Sequence, residues 1–255
     1  MKLFNSAIIA FSMYSKIPMP RVDWNKENMK YVMCFFPLVG IANGLLMIFW
    51  LWICSYLKIG NVLMSAVCML IPLIVTGGIH LDGYCDTIDG LSSHQSIEKK
   101  LQILQDPNSG AFAVIGCVAY LVLNVALWSE MPLNRDAILI VALSYVLTRS
   151  LSGLSIVTFK MAKTSGLAAS FSDLAQKKKV KITMIIFVIL IDIFMLMINL
   201  EYGIAVSIVL SLVFIYYKIM SYKQFGGITG DLAGFFLQLA EISVLLSLVA
   251  VNKLI

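Results

Sequence analysis

The sequence predicts an all-α fold: a polytopic membrane bundle of about seven transmembrane helices, with the amino terminus cytoplasmic. Three observations carry that reading. The 255 residues are 60% hydrophobic and only 13% charged, with mean hydropathy +0.91, whereas soluble domains run at roughly 45–50% apolar and about 25% charged. Apolar stretches approaching the ~20 residues that a spanning helix needs recur along the whole chain. Fifteen of the nineteen Lys and Arg residues fall in alternate connecting segments, the bias that marks cytoplasmic loops.

In chain order, residues 1–31 form an amino-terminal interfacial segment. Its "KLFNSAIIAFSMYSKIPMP" is short, lacks a small-residue cleavage pattern and ends in two prolines, so it reads as an interfacial or re-entrant helix and not as a signal peptide. The first two spans are approximately Val32–Leu57 and Val62–Ile79, the second loosened at its end by Gly77-Gly78. Residues 80–110 follow as an acidic cytoplasmic loop. Spans three and four, Ala111–Trp128 and Ala137–Phe159, precede a basic cytoplasmic loop at 160–181. Its "KKKVK" run at 177–181 is expected to face lipid headgroups. Ile182–Leu200, Ile204–Met220 and Leu232–Val251 complete the set. The whole chain, 1–255, is thus expected to be one integral-membrane domain, multi-pass in the cell (inner) membrane, with its polar chemistry at the cytoplasmic face. The net charge of +5 belongs to that loop bias, so lipid and not nucleic acid is the expected partner. Five cysteines without C-x-x-C spacing read as small core residues.

Polar chemistry concentrates in "GGIHLDGYCDTIDG" at 77–90, where Asp82, Asp86 and Asp89 fall at i, i+4 and i+7 with no Lys or Arg between Lys58 and Lys99. On a helix they would share one stripe. Carboxylates about 6 Å apart repel by roughly 3 kcal/mol per pair at an effective dielectric of 20. A proton, a cationic partner or a metal must offset that. An all-oxygen set selects Mg²⁺ or Mn²⁺ before Zn²⁺, and metal binding is favoured over a solvated acidic loop or a proton or cation pathway. Mg²⁺ beside a membrane mostly serves phosphate esters. "GGIHLD" (77–82) and "GGITGD" (226–231) match at four of six positions, which predicts that Asp82 and Asp231 reach one cavity wall. His80 is either a base or an orienting group. Asp106, in "QDPNSG", is either a ligand contact or a turn residue. Arg149 and Glu241 lie within spans, where ionisable groups are costly and usually paired; Arg149 either reaches phosphate or pairs with Glu241, the pair being favoured. Asp192 has no assigned role, and His94 reads as an exposed loop residue.

At these residues the chain resembles the cobalamin synthase (adenosylcobinamide-GDP ribazoletransferase) family. "GGIHLDGYCDTIDGL" is similar to the family's GG-x-HLDGLADT-x-DG signature. "FSMYSKIPMP" (11–20), "LQDPNSGAF" (104–112) and "FGGITGDLAGFFLQLAEISVLL" (225–246) correspond, in order, to its further motifs. The resemblance implies a multi-pass, Mg²⁺-dependent transferase (Mn²⁺ as the substitute) that joins adenosylcobinamide-GDP to α-ribazole, or its 5′-phosphate, and releases GMP. It implies Asp82, Asp86 and Asp89 as metal ligands, with His80 and Asp231 also catalytic. Lys16, Asp106, Asn108, Arg149, Gly227, Thr229 and Glu241 are its implied substrate contacts. A homo-oligomer or a complex with other cobalamin-assembly enzymes is the protein partner to expect. The chain departs from the pattern where Lys16 and Asn108 stand for Arg and Gln238 for an acid, which weakens the substrate contacts more than the metal site. A CDP-alcohol phosphotransferase, the nearest alternative, needs an Arg after its DG element, and "DGYCDT" has none. A cation- or proton-coupled transporter would carry midplane acids in paired repeats, whereas these gather at one face.

Overall fold

The computed structural model describes residues 2–163 and 175–254. Helix α1 (Lys2–Tyr14) and the one-turn α2 (Lys26–Met29) lead through a 3₁₀ turn at Val32–Phe35 into α3 (Phe36–Leu57). Then follow α4 (Asn61–Thr76), α5 (Ile79–Ser92), α6 (Ile97–Ile103), α7 (Ala111–Glu130) and α8 (Arg135–Thr158). The last three are α9 (Lys177–Ile198), α10 (Leu200–Phe225) and α11 (Gly230–Leu254). Among the described residues the only non-helical pairing is an isolated bridge between Met161 and Ile228.

Six helices, α3 with its 3₁₀ lead-in and α7 to α11, are long and apolar enough to cross a membrane; α4 and α5 make a seventh apolar pair bent by 96°. The bend has a local cause. Gly77 and Gly78 take φ of +66° and +79°, a left-handed conformation that side chains with a β-carbon rarely adopt. Their N–H groups close α4 on the carbonyls of Ile74 and Leu73. Sixteen residues of α4 span about 24 Å, so α4 alone is a short crossing. The second span therefore stops at Thr76, short of the expected Ile79, and most of the expected 80–110 loop is helix, α5 and α6, lying across the bundle end.

Two ends of the bundle are distinguishable by their contacts. At one, α1, α5 and α6 gather with the end of α4 and the starts of α7 and α11. There the Lys16 N–H donates to the Val75 carbonyl at 2.7 Å, and Ile228 N–H donates to the Lys160 carbonyl at 2.8 Å. At the other, Lys253 pairs with Glu130 at 2.8 Å and the Tyr202 hydroxyl donates to Asn252 at 3.3 Å. Helices α8 and α11 form the centre and are the most buried of the long helices, whereas α9 lies at the rim. Close approach of α3 to α8 depends on Gly40, where a β-carbon would stand 2.4 Å from the Tyr145 carbonyl oxygen. The ends of α9 and α10 run further than the hydropathy suggests. Lys177–Lys181 form the first turn of α9, and α10 continues past Met220 to Phe225. Within the 160–181 loop, residues 164–174 lie outside the described residues. Helix α1 buries Ile9 and Ala10, exposes Leu3 and Phe4, and is pinned by Ser6 Oγ donating to the Asn28 carbonyl at 2.6 Å. That amphipathic seat fits an interfacial segment.

Candidate functional site

The site is built where α5 crosses the first turns of α11. Two glycines set the distance between their backbones. A β-carbon on Gly83 would lie 2.7 Å from the Asp231 carbonyl oxygen and 2.8 Å from its Cα, and one on Gly234 would lie 3.0 Å from the His80 carbonyl oxygen. Because α5 and α11 touch backbone to backbone, Asp82 and Asp231 come to line the same cavity, of about 290 Å³. The two glycine-rich motifs thus converge as their likeness suggests. Thr229 starts α11 by accepting the Leu232 N–H at 3.2 Å, and its hydroxyl also donates to Asp231 at 3.4 Å. His80, Lys163, Gln105 and Ser152 complete the polar lining, and Tyr14, Met33 and Phe36 close the apolar side.

The three aspartates of α5 do share one helical stripe, but they do not act alike. Asp89 spends both oxygens on the start of α7, accepting from the Gly110 N–H at 2.7 Å and the Ala113 N–H at 3.3 Å. Gly110 permits this, since a β-carbon there would lie 2.1 Å from an Asp89 oxygen. Asp86 is half-buried, and its carboxyl is pushed up to about 7, chiefly by burial and then by the charges of Asp82, Asp231 and Asp89. Lys163, whose ammonium donates to the Leu101 carbonyl at 2.7 Å, is lowered by burial and held up by Asp231. His80 is buried and its Nε2 has no partner among the described residues. Burial, then the charge of Arg149, depresses its imidazolium to about 3, so the ring stays neutral at physiological pH. A neutral ring of such low basicity can hydrogen-bond a ligand but accepts protons poorly.

These residues bear directly on the expected metal triad. No group of three or more His, Cys, Asp or Glu side chains among the described residues is arranged to hold a metal ion. The Asp82–Asp86–Asp89 set is not a ready-made shell, because Asp89 is committed to capping α7. What remains is Asp82 and Asp86 one turn apart with Asp231 opposite: hard oxygen donors whose charges add to burial in raising Asp86. Mg²⁺ is commonly held by one or two carboxylates with water and substrate phosphates completing its octahedron, and the donor set fits that arrangement.

The other sequence-derived candidates scatter. Lys16 lies over the bend, its side chain where a β-carbon on Gly77 would be, beside an open hollow lined by Gly77, Gly78 and Asp82. Gly227 lets its strand-like segment meet Lys160, with a β-carbon only 2.5 Å from that carbonyl oxygen, a structural use. Asp106 accepts from the Asn108 N–H and side-chain amide at 2.9 Å, which hold its carboxyl below the usual range. Both are exposed turn residues off the cavity wall. Arg149 and Glu241 are also off it: they form a buried ion pair between α8 and α11, with Arg149 Nη1 donating to Glu241 and to the Thr148 hydroxyl at 3.1 Å. The favoured pairing of Arg149 is therefore the one the structure has, and the substrate contacts expected of Asp106, Asn108, Arg149 and Glu241 have no geometric support at this cavity. Lys163, Gln105 and Ser152 are lining residues that sequence reasoning missed. Lys163 was legible only as one more loop lysine.

Comparison with known proteins comes to the same place. The family model described as cobalamin-5-phosphate synthase matches residues 6–249. A Lachnoclostridium phytofermentans protein named adenosylcobinamide-GDP ribazoletransferase is 44% identical over 255 residues, 100% of this chain and 97% of its own length. Proteins of the same name from Clostridium botulinum and Treponema denticola are 32% and 34% identical. They cover 96% and 93% of this chain and 97% and 95% of their own. No solved structure matches the chain.

Proposed function

The chain belongs to the cobalamin-5-phosphate synthase family, and from that premise we propose that it joins adenosylcobinamide-GDP to α-ribazole, or its 5′-phosphate, and releases GMP. The observation that carries this reading is the meeting of Asp82 and Asp231, from opposite ends of the chain, on one cavity wall with Asp86 a turn away. In the reaction the ribazole hydroxyl attacks the phosphorus nearest cobinamide, the bond from that phosphorus to the GMP oxygen breaks, and the hydroxyl proton leaves. Mg²⁺, or Mn²⁺ in its stead, held by Asp82 and Asp86, would neutralise charge on the diphosphate. Asp231 is the acceptor for the proton, since His80 is too weakly basic and Lys163 is a cation. Lys163, next to Asp231, faces the phosphates as a point charge. His80 Nε2 orients the bound ligand. The basic loops at this end support its being the cytoplasmic face, where a guanosine nucleotide product is released.

The test is to mix detergent-purified protein with adenosylcobinamide-GDP, α-ribazole and Mg²⁺ and to follow GMP. Asp82→Asn and Asp231→Asn should each lower turnover by about 100-fold or more with the thermal midpoint preserved. Near-normal turnover in both variants overturns the site; no product from the well-folded natural protein overturns the reaction.

A further inference from the structure

At the end of the bundle opposite the acidic cavity lies a second hollow, of about 470 Å³, between the α3–α4 turn and the start of α8. We propose that it binds an anionic phospholipid, taking the phosphate between Lys58 and Arg135 and the first part of an acyl chain along Trp52, Ile138 and Leu139.

Positive charge is scarce at this end. Lys58, Arg135 and Lys253 are the Lys and Arg residues there, and Lys253 is paired with Glu130 at 2.8 Å. The other two border the same hollow, and neither forms an ion pair among the described residues. Arg135 occupies the first turn of α8, where the helix dipole is already positive and a cation is unfavourable. The neighbouring Asp136 is turned away, accepting from the Asn199 side chain at 3.5 Å. An ammonium and a guanidinium thus border one hollow with no acid lining it, which is complementary to a phosphodiester. Depth agrees with charge. Trp52 stacks between Phe49 and Tyr56, at 6.0 and 5.9 Å between ring centres, and all three are exposed. Trp and Tyr are the side chains that gather at headgroup level in a bilayer. A zwitterionic lipid carries its own cation and gains less from the pair.

The test takes the full-length protein in phosphatidylcholine–detergent micelles. Adding phosphatidylglycerol should raise the thermal midpoint by about 3 °C, while extra phosphatidylcholine or inorganic phosphate should not. The rise should vanish in Lys58→Gln/Arg135→Gln and persist in Lys58→Arg/Arg135→Lys and in Lys253→Gln. No rise in the natural protein, an equal rise in the glutamine double variant, or the same rise with inorganic phosphate alone each overturns the proposal. If the double variant does not fold, acyl-brominated phosphatidylglycerol decides. It should quench natural-protein tryptophan more than brominated phosphatidylcholine does, with the excess lost in Trp52→Phe, and equal quenching by the two lipids overturns the site.

Discussion

Asp89 and Asp82 stand on one stripe of one helix, yet the first is tied to two backbone N–H groups of α7 and the second faces the cavity. Their replacements should therefore separate cleanly. Asp89→Ala removes a charged helix cap and should cost about 1–2 kcal/mol, seen as a lower thermal midpoint. Asp82→Ala should leave the midpoint unchanged or raise it, since it removes a repelling carboxylate from beside Asp86. Equal midpoints in the two variants would contradict the division of labour. Asp86 adds a pH dependence. Its carboxyl titrates near 7 in the fold against an ordinary value of 3.8, so the folded protein binds the extra proton between those values. That proton makes the Asp86 contribution to metal-free stability fall as pH rises through the window, while neutral His80 contributes an opposite slope below its ordinary value. The midpoint difference between the natural protein and Asp86→Asn, measured in chelator from pH 4 to 8, isolates the Asp86 part and should shift against the natural protein as pH rises; a constant difference would remove the crowding inferred here. The cap on α7 was illegible in the sequence because its partner is a backbone group beyond an intervening helix and turn. Lys163 was illegible because a lysine in a basic loop already has a sufficient explanation.

Helices, by contrast, were largely legible, since lipid-facing segments must be apolar throughout. The exceptions fall where composition stops speaking for geometry. Residues 80–110 look like a loop because α5 carries three aspartates and two glycines, but burial against α11 and α7 sustains the helix that propensity disfavours. The glycine that weakens α5 locally is also the one that seats it: Gly83 faces the Asp231 backbone. Gly83→Ala should force the two helices apart, because a carbonyl oxygen at 2.7 Å and a Cα at 2.8 Å cannot move aside as a side chain can. A cost of about 1–3 kcal/mol and a drop in turnover of about 100-fold are expected. Gly234→Ala meets its nearest backbone atom at 3.0 Å and should lose less of both. Stability and single-turnover rates of the two variants check the order, and a reversed order would mean that the α5–α11 seam does not position the carboxylates.

For the whole molecule, the alternation of lysine-rich and lysine-poor connections foretold which helix ends would meet, and the contacts at each end of the bundle follow that alternation. Inside the apolar interior the two central helices are tied by the pairing that two opposite in-span charges, Arg149 and Glu241, already suggested. Arg149 is fully buried and Glu241 nearly so, and their ion pair joins α8 to α11, the same α11 whose first turn carries Asp231. Removing one partner strands a charge. Glu241→Ala should therefore cost about 3–5 kcal/mol, read as a large fall in thermal midpoint in detergent. Replacing both, as Arg149→Met/Glu241→Leu, trades the pair for apolar packing and should recover most of that loss. The double variant also separates a tie from a ligand contact. With α8 and α11 still packed and neither residue lining the cavity, its turnover should stay within about tenfold of the natural protein. A well-folded double variant with turnover reduced as far as in Asp82→Asn would show instead that the pair reaches the substrate.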